Sequence, residues 1–155
     1  MNDEADRPVL LMVEDDLAHA RLIQRCLKAG DVEFDIRHVT NGLHALDYLF
    51  QRGDFADVRE NPRPQLVFLD LRLPLCGGFE VLEAAKTHDL TCTIPIVVLT
   101  TSAAERDVVG AYERRANGYL VKPVDATAMQ EMLDCARVYW LEHNRTVGIE
   151  EAMAS

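Results

Sequence analysis

Apolar and polar positions alternate along the chain in blocks that predict five strands, each followed by a helix. The predicted strands are short apolar runs at 9–13, 34–39, 66–69, 94–99 and 119–121. The predicted helices carry apolar residues at helical spacing, over 17–28, 43–50, 78–87, 103–115 and 125 to about 142. Strict alternation with short connections implies parallel strands and right-handed crossovers. The pattern therefore predicts an α/β fold, a doubly wound five-stranded parallel sheet with five helices.

Composition and net charge limit the kinds of partner that the chain is expected to bind. The chain has 155 residues, a length that fits one domain, and its net charge is −10. An acidic chain without a basic face is a poor ligand for a phosphate backbone, so no nucleic-acid partner is expected. Four scattered cysteines predict neither a zinc site nor a disulfide framework. Because no apolar run approaches the length of a membrane span and no signal-peptide pattern is present, we expect a cytoplasmic protein without a membrane partner.

Charged and hydroxyl residues stand where four of the predicted strands end. They are Glu14, Asp15, Asp16, Asp70, Thr100 and Lys122. Each alone has a simpler explanation as a helix cap, a core residue or a surface residue, but together they would require a coincidence across four strand ends. Carboxyl ends of parallel strands meet at one edge of the sheet, where open α/β folds bind ligands. Carboxylates gathered there repel one another unless a cation joins them, and oxygen ligands suit Mg²⁺. A carboxylate beside Mg²⁺, a lysine and a hydroxyl can attack a phosphoryl group.

Four motifs in this order carry a resemblance to a known family. They are Val-Glu-Asp-Asp at 13–16, Leu-Asp-Leu-Arg-Leu-Pro at 69–74 with Gly78, Leu-Thr-Thr-Ser at 99–102, and Tyr-Leu-Val-Lys-Pro at 119–123. Over about residues 8–142, the chain resembles a bacterial response-regulator receiver domain. The resemblance implies a flavodoxin-like sheet with strand order 2-1-3-4-5, and a signalling switch that catalyses only its own phosphorylation and dephosphorylation.

The resemblance also implies a role for each residue at the strand ends. Asp70 would be the phosphoacceptor in a phosphorelay fed by a sensor histidine kinase, and Lys122 and Thr100 would contact the phosphoryl group. The ligands of Mg²⁺ would be Glu14, Asp15, Asp70 and the backbone carbonyl of Arg72. Thr100 and Tyr119 would form a switch that changes the surface made by the fourth helix, the fifth strand and the last helix. The Lys122–Pro123 bond would be cis.

Several segments of the chain indicate which subgroup of receiver domains it resembles. Residues 1–7 and 143–155 are expected to be tails around a receiver domain at 8–142, with no output domain. Together with Tyr139-Trp140 and a long polar loop around 52–63, this is similar to the single-domain regulators paired with bacterial and cyanobacterial phytochrome kinases. The downstream target is not indicated by the sequence.

The last helix also predicts a contact between two copies of the chain. On a helical wheel, a core stripe is formed by Met129, Met132, Leu133, Ala136 and Trp140. Val138 and Leu141 fall outside that stripe, with Tyr139 at its margin. We expect these three side chains to lie on the surface of the fourth helix, fifth strand and last helix, and to form a two-fold homodimer there.

Other functional classes fit the motifs less well. A haloacid-dehalogenase-type phosphohydrolase also uses a strand-end aspartate, but it expects a second carboxylate two residues later, where Arg72 stands. A phosphorylation-independent interaction module with the receiver fold usually lacks the aspartate, the lysine or the acidic pair, and all are present here. A dinucleotide-binding fold would need GxGxxG after the first strand, and Gly77-Gly78 does not supply it.

Overall fold

Five strands and five helices alternate along the computed structural model, which describes residues 7–146. The strands are β1 (Val9–Val13), β2 (Asp35–Val39), β3 (Leu66–Leu69), β4 (Ile96–Thr100) and β5 (Gly118–Val121). The helices are α1 (Leu17–Leu27), α2 (Gly42–Leu49), α3 (Gly78–Lys86), α4 (Glu105–Glu113) and α5 (Ala126–Arg137). None of the described helices is both long enough and apolar enough to cross a membrane. The predicted tails at 1–7 and 143–155 lie mostly outside the described residues, and the predicted domain limits stay a prediction.

All strand pairs are parallel, and the order across the sheet is β2-β1-β3-β4-β5. The strands β1 and β3 lie inside the sheet and are buried over their whole length. Burial on both faces explains why they are continuous apolar runs rather than alternating ones. The predicted fold class and strand order are confirmed, and the carboxyl ends of all five strands lie at one edge.

The sheet carries a core on each face because successive side chains of a strand point in opposite directions. Leu11 and Val13 of β1 belong to a cluster with residues of α2, α3 and α4. Leu10 and Met12 belong to a second cluster with residues of α1 and α5. Helices therefore cover both faces, and the polar residues after the strands lie at the carboxyl edge between the two helical layers.

Side-chain caps determine where two helices begin at that edge. The Asp16 carboxylate accepts hydrogen bonds from the backbone N–H groups of Ala18 at 2.9 Å and His19 at 3.1 Å. The side chain of Asn41 accepts one from the N–H of His44 at 2.8 Å. These bonds satisfy N–H groups that have no partner within the helix. As a result, α1 begins directly after the acidic run that follows β1.

The polar segment 51–63 packs against α2. A 3-10 turn within it places the ring of Phe55 5.2 Å from the ring of Tyr48, and Phe55 is packed against the core cluster on that face. The Tyr48 hydroxyl donates a hydrogen bond to the carbonyl of Pro62 at 2.9 Å. The segment is therefore joined to the fold near both of its ends.

The chain changes its helical pitch after α5. Val138–His143 is π-helical, so each residue turns the chain by less than the angle that an α-helical wheel assumes. Leu141 consequently packs against the core, and Val138 is half-buried. The expectation that Leu141 lies outside the core stripe is therefore wrong. Of the three residues predicted for the dimer surface, Tyr139 is the exposed one, at 55%.

Candidate functional site

Three charged side chains from three strand ends meet in a buried ion-pair network. The Lys122 ammonium, directly after β5, donates hydrogen bonds to Glu14 Oε2 at 2.8 Å and to Asp70 Oδ2 at 3.0 Å. Glu14 follows β1 and Asp70 follows β3, and none of the three residues is more than 8% exposed. The structure therefore brings together the lysine and two of the carboxylates that the sequence placed at strand ends.

Burial and mutual contacts shift the pKa values of these groups in different directions. Burial, together with the neighbouring Asp70 carboxylate, raises the pKa of Glu14 to about 8. Burial also opposes the ionisation of Asp70, but hydrogen bonds with Glu14 and Lys122 outweigh it and lower the pKa of Asp70. Burial would lower the pKa of Lys122, but the two carboxylates outweigh it and raise that pKa. Of the two carboxyl groups, Asp70 is thus the one whose pKa is lowered, because its surroundings favour the charged form.

A third carboxylate completes an acidic cluster at this edge of the sheet. Oxygen atoms of Glu14, Asp15 and Asp70 lie within 4.8 Å of one another, and Asp15 is exposed to solvent. Glu14 Oε1 is buried and has no hydrogen-bond partner among the residues that the structure describes. A buried polar atom without a partner is costly, and a cation bound between the carboxylates would remove that cost. The donor set therefore suits a divalent cation that prefers oxygen ligands.

The backbone that follows Asp70 stays close to the Asp70 side chain and carbonyl group. The backbone N–H of Arg72 points to Asp70 Oδ1 at 3.4 Å. A Cβ atom on Gly78 would lie 2.3 Å from the carbonyl oxygen of Asp70, so only glycine lets α3 begin this near the end of β3. The side chain of Arg72 is exposed. Its backbone carbonyl as a cation ligand stays a prediction.

The two residues expected to form a switch lie on neighbouring strands. Thr100 ends β4 and is 1% exposed. The hydroxyl of Tyr119 in β5 donates a hydrogen bond to the backbone carbonyl of Ser102 at 2.8 Å. The hydroxyl of Ser102 in turn donates to a carboxylate oxygen of Asp107 in α4. The loop after Thr100 is therefore tied to both β5 and α4, a connection that a switch between this site and that surface needs.

The Lys122–Pro123 bond is trans, and no cis peptide bond occurs in the part of the chain that the structure describes. The expectation of a cis bond is therefore wrong. The trans isomer of an X–Pro bond is favoured by about 0.5–1 kcal/mol. With the trans bond, the Lys122 ammonium already reaches both carboxylates, so the geometry of the site does not require the less stable isomer.

Sequence reasoning missed His19, which lies at the rim of the site. Its Nδ1 atom is 3.3 Å from Lys122 Nζ and 3.4 Å from Glu14 Oε1. A signal for this position was present, because His19 follows the helix cap Asp16 by three residues. Side chains at that position of a helix can reach back toward the cap, and here that direction leads to the acidic cluster.

Comparison with known proteins agrees with this geometry. The family model described as the response regulator receiver domain matches residues 10–134. The chain belongs to this family. Response regulator Rcp1 from Synechocystis sp. is 39% identical to this receiver domain over 143 residues, which cover 92% of this chain and 95% of that protein.

Two solved structures share the fold of this receiver domain. The Mn²⁺-bound form of Rcp1 aligns with a TM-score of 0.85 and 37% identity, covering 91% of this chain and 99% of that chain. The phosphorylated cyanobacterial phytochrome response regulator RcpA aligns with a TM-score of 0.86 and 32% identity, covering 92% and 99%. The predicted family and its function as a response regulator are confirmed. Because receiver domains are signalling proteins, the haloacid-dehalogenase alternative is set aside.

Proposed function

We propose that Asp70 accepts a phosphoryl group from the phosphohistidine of a sensor kinase in a two-component phosphorelay. In this transfer the N–P bond of the phosphohistidine breaks and a P–O bond to Asp70 forms. The observation that carries the proposal is the Lys122 ammonium, which is buried and bonded to Asp70 at 3.0 Å beside an acidic cluster. The ammonium favours the charged form of Asp70, the form that attacks phosphorus.

The residues around Asp70 would neutralise and position the incoming group. The proposed ligands of Mg²⁺ are Glu14, Asp15, Asp70 and the backbone carbonyl of Arg72. When bound, Mg²⁺ would neutralise charge on the phosphoryl oxygens. Lys122 supplies a second positive charge at Asp70, and the hydroxyl of Thr100 would donate a hydrogen bond to a phosphoryl oxygen.

The proposed switch starts from Thr100. A phosphoryl group on Asp70 would attract the Thr100 hydroxyl and pull on the loop that follows β4. That loop is held at Ser102 by the Tyr119 hydroxyl and, through the Ser102 side chain, by α4. Movement of the loop would therefore be transmitted to β5 and α4 together.

A bacterial phytochrome is the sensor kinase that we propose. The support is similarity to RcpA, a cyanobacterial phytochrome response regulator whose phosphorylated structure covers 92% of this chain. The similarity covers 99% of that chain, so it extends over nearly all of RcpA.

The proposed output surface consists of α4, β5, α5 and the π-helical segment, and we expect two copies of the chain to pair through it. Four exposed apolar side chains on this surface support the pairing. They are Val109, Tyr112, Val121 and Tyr139, each at least 40% exposed. A two-fold contact would cover these side chains on both copies.

Intact-protein mass spectrometry after incubation with acetyl phosphate and Mg²⁺ tests the phosphoacceptor. The wild type should gain the mass of one phosphoryl group, and Asp70→Asn or a chelator should abolish the gain. Asp54→Asn, which changes an exposed carboxylate in segment 51–63, is the matched control and should react like the wild type. Incorporation that persists in Asp70→Asn would place the acceptor elsewhere. A wild type that never reacts would favour the phosphorylation-independent interaction module.

A further inference from the structure

His38 of β2 contacts the backbone between two carboxylates of the acidic cluster. Its Nε2 atom is 2.7 Å from the carbonyl oxygen of Glu14. A carbonyl oxygen only accepts hydrogen bonds, so Nε2 carries the hydrogen and donates it. The distance is at the short end of the about 2.7–3.2 Å that N–H···O bonds span. A half-buried imidazole of the edge strand therefore holds the residue with which the acidic run begins.

This bond lies where the backbone ladder between β1 and β2 ends. The N–H of Glu14 still donates to the carbonyl of Val39 at 3.1 Å. β2 stops at Val39, so the carbonyl of Glu14 lies beyond the last residue pair of the two strands. Because His38 binds that carbonyl, both backbone polar groups of Glu14 are attached to β2. The backbone of Glu14 is thus held on both sides of its Cα atom.

We propose that His38 is a positioning residue that keeps the carboxylates of Glu14 and Asp15 at the spacing that one cation requires. The inference rests on the proposed cation site of Glu14, Asp15 and Asp70. The peptide group between Glu14 and Asp15 is planar, so the direction of the Glu14 carbonyl determines where the Cα atom of Asp15 lies. Without the bond from His38, this peptide plane would be free to rotate and carry the Asp15 carboxylate away from the cluster.

Asp15 depends on its neighbours in the chain because its own side chain is exposed to solvent. On its far side, the Asp16 carboxylate accepts hydrogen bonds from two N–H groups of α1, which holds the chain there. On its near side, the Glu14 carbonyl is held by His38. Asp15 therefore lies between two fixed points, and its oxygen atoms stay within 4.8 Å of those of the other two carboxylates.

The ion that depends most on such positioning is Mg²⁺. It requires near-octahedral geometry with ligands at about 2.0–2.1 Å, whereas Ca²⁺ accepts flexible geometry with ligands at about 2.3–2.6 Å. A loss of positioning should therefore weaken the binding of Mg²⁺ more than that of Ca²⁺. A loss of overall stability should weaken the binding of both ions alike.

Calorimetric titration of the full chain with Mg²⁺ and, separately, with Ca²⁺ tests the proposal. His38→Leu removes the donor and should weaken Mg²⁺ binding by about threefold to tenfold, and Ca²⁺ binding by less than about twofold. His38→Gln keeps an N–H donor near the position of Nε2 and should bind Mg²⁺ within about twofold of the wild type. His38→Asn is a second polar variant, with an amide too short to reach Glu14, and should behave like His38→Leu. Ile36→Ala, at a partly buried residue on the same face of β2, is the matched control and should leave both affinities unchanged.

Mg²⁺ binding that is as tight in His38→Leu and His38→Asn as in the wild type would overturn the proposal. Equal losses for Mg²⁺ and Ca²⁺ would overturn it as well, because His38 would then only support the fold. So would a loss in His38→Gln or Ile36→Ala as large as that in His38→Leu. In these cases Mg²⁺ binding by the wild type would leave the proposed phosphoacceptor site standing. A wild type that binds neither ion would contradict the cation site itself, and the role of His38 with it.

Discussion

Lys86 Nζ donates a hydrogen bond to Asn117 Oδ1 at 2.7 Å, and this contact lies at the edge of the sheet opposite the acidic site. The same ammonium donates to the carbonyl of Ile94 at 2.8 Å, and Asn117 Oδ1 also accepts from the N–H of Ile96 at 2.9 Å. Lys86 is 5% exposed and these acceptors are neutral, so burial lowers the pKa of Lys86 to about 8. The start of β4 is thus attached to α3 through a buried lysine.

The lowered pKa of Lys86 predicts that the free energy of unfolding rises with pH above about 8. Between about 8 and the ordinary value of 10.5, the unfolded chain binds more protons at this residue than the native chain does. Urea unfolding from about pH 7 to about pH 10 measures the rise. Lys86→Met should remove Lys86's part of the rise, and Lys28→Met, at an exposed lysine after α1, should keep it. Equal pH profiles for the wild type and Lys86→Met would contradict this prediction.

Asp15→Asn should raise the melting temperature of the cation-free protein and reduce its stabilisation by Mg²⁺. Asp15 adds a negative charge within 4.8 Å of the carboxylates of Glu14 and Asp70, so its removal relieves repulsion. In the wild type, Mg²⁺ at a hundredfold excess over its Kd should add about 2.7 kcal/mol. Thermal unfolding with Mg²⁺ and with a chelator measures both effects.

Asp16→Asn is the control for this experiment, because asparagine caps a helix about as well as aspartate. It should keep the response to Mg²⁺. Asp70→Asn is less informative for stability, since it would also remove the negative charge that is paired with the buried Lys122 ammonium. The acidic cluster would not be the cation site if Mg²⁺ and Asp15→Asn both left the melting temperature unchanged.

Phe55→Ala should lower the free energy of unfolding by about 1–3 kcal/mol, because the ring is partly buried. The ring packs on the core cluster and lies 5.2 Å from the ring of Tyr48. Val58→Ala in the same segment removes part of a side chain that is 56% exposed and should change stability by less than about 0.5 kcal/mol. Urea unfolding measures both variants. If Phe55→Ala and Val58→Ala lowered the free energy of unfolding by equally small amounts, segment 51–63 would contribute little to the stability of the fold.

The chemistry at the strand ends could be predicted because it depends on local signals. The apolar runs at 9–13 and 66–69 are β1 and β3 with the same limits, and Glu14 and Asp70 follow them directly. In a parallel sheet, the position of a residue after its strand is enough to place it at the carboxyl edge. Lys122 therefore reaches both carboxylates, as its position after β5 suggested.

The features that could not be predicted depend on distant contacts or on a change of pitch. Lys86 occupies the last turn of the amphipathic helix α3, and its burial depends on Asn117, 31 residues further along the chain. Leu141 was misplaced because a helical wheel assumes one constant angle, whereas Val138–His143 is π-helical. Neither the buried lysine contact nor the change of pitch has a signature in a short window of sequence.

Tyr112 and Tyr139 are exposed aromatic residues on the proposed dimer surface, at 51% and 55%, and they allow a test that leaves the core intact. Leu141 packs against the core, so a charge there would weaken the fold and the dimer together. Tyr112→Glu combined with Tyr139→Glu should therefore keep the melting temperature of the wild type within a few degrees.

In sedimentation velocity at about tens of micromolar, the wild type with beryllofluoride and Mg²⁺ should be a dimer. The double variant Tyr112→Glu/Tyr139→Glu should remain monomeric, because a self-complementary contact would bury its added charges on both copies without partners. Val58→Glu, at an exposed apolar residue on a different surface, is the matched control and should dimerise like the wild type. A dimer that survives the double substitution would place the interface elsewhere. A wild type that is monomeric with and without beryllofluoride would contradict the dimer and leave the assignment of Asp70 unaffected.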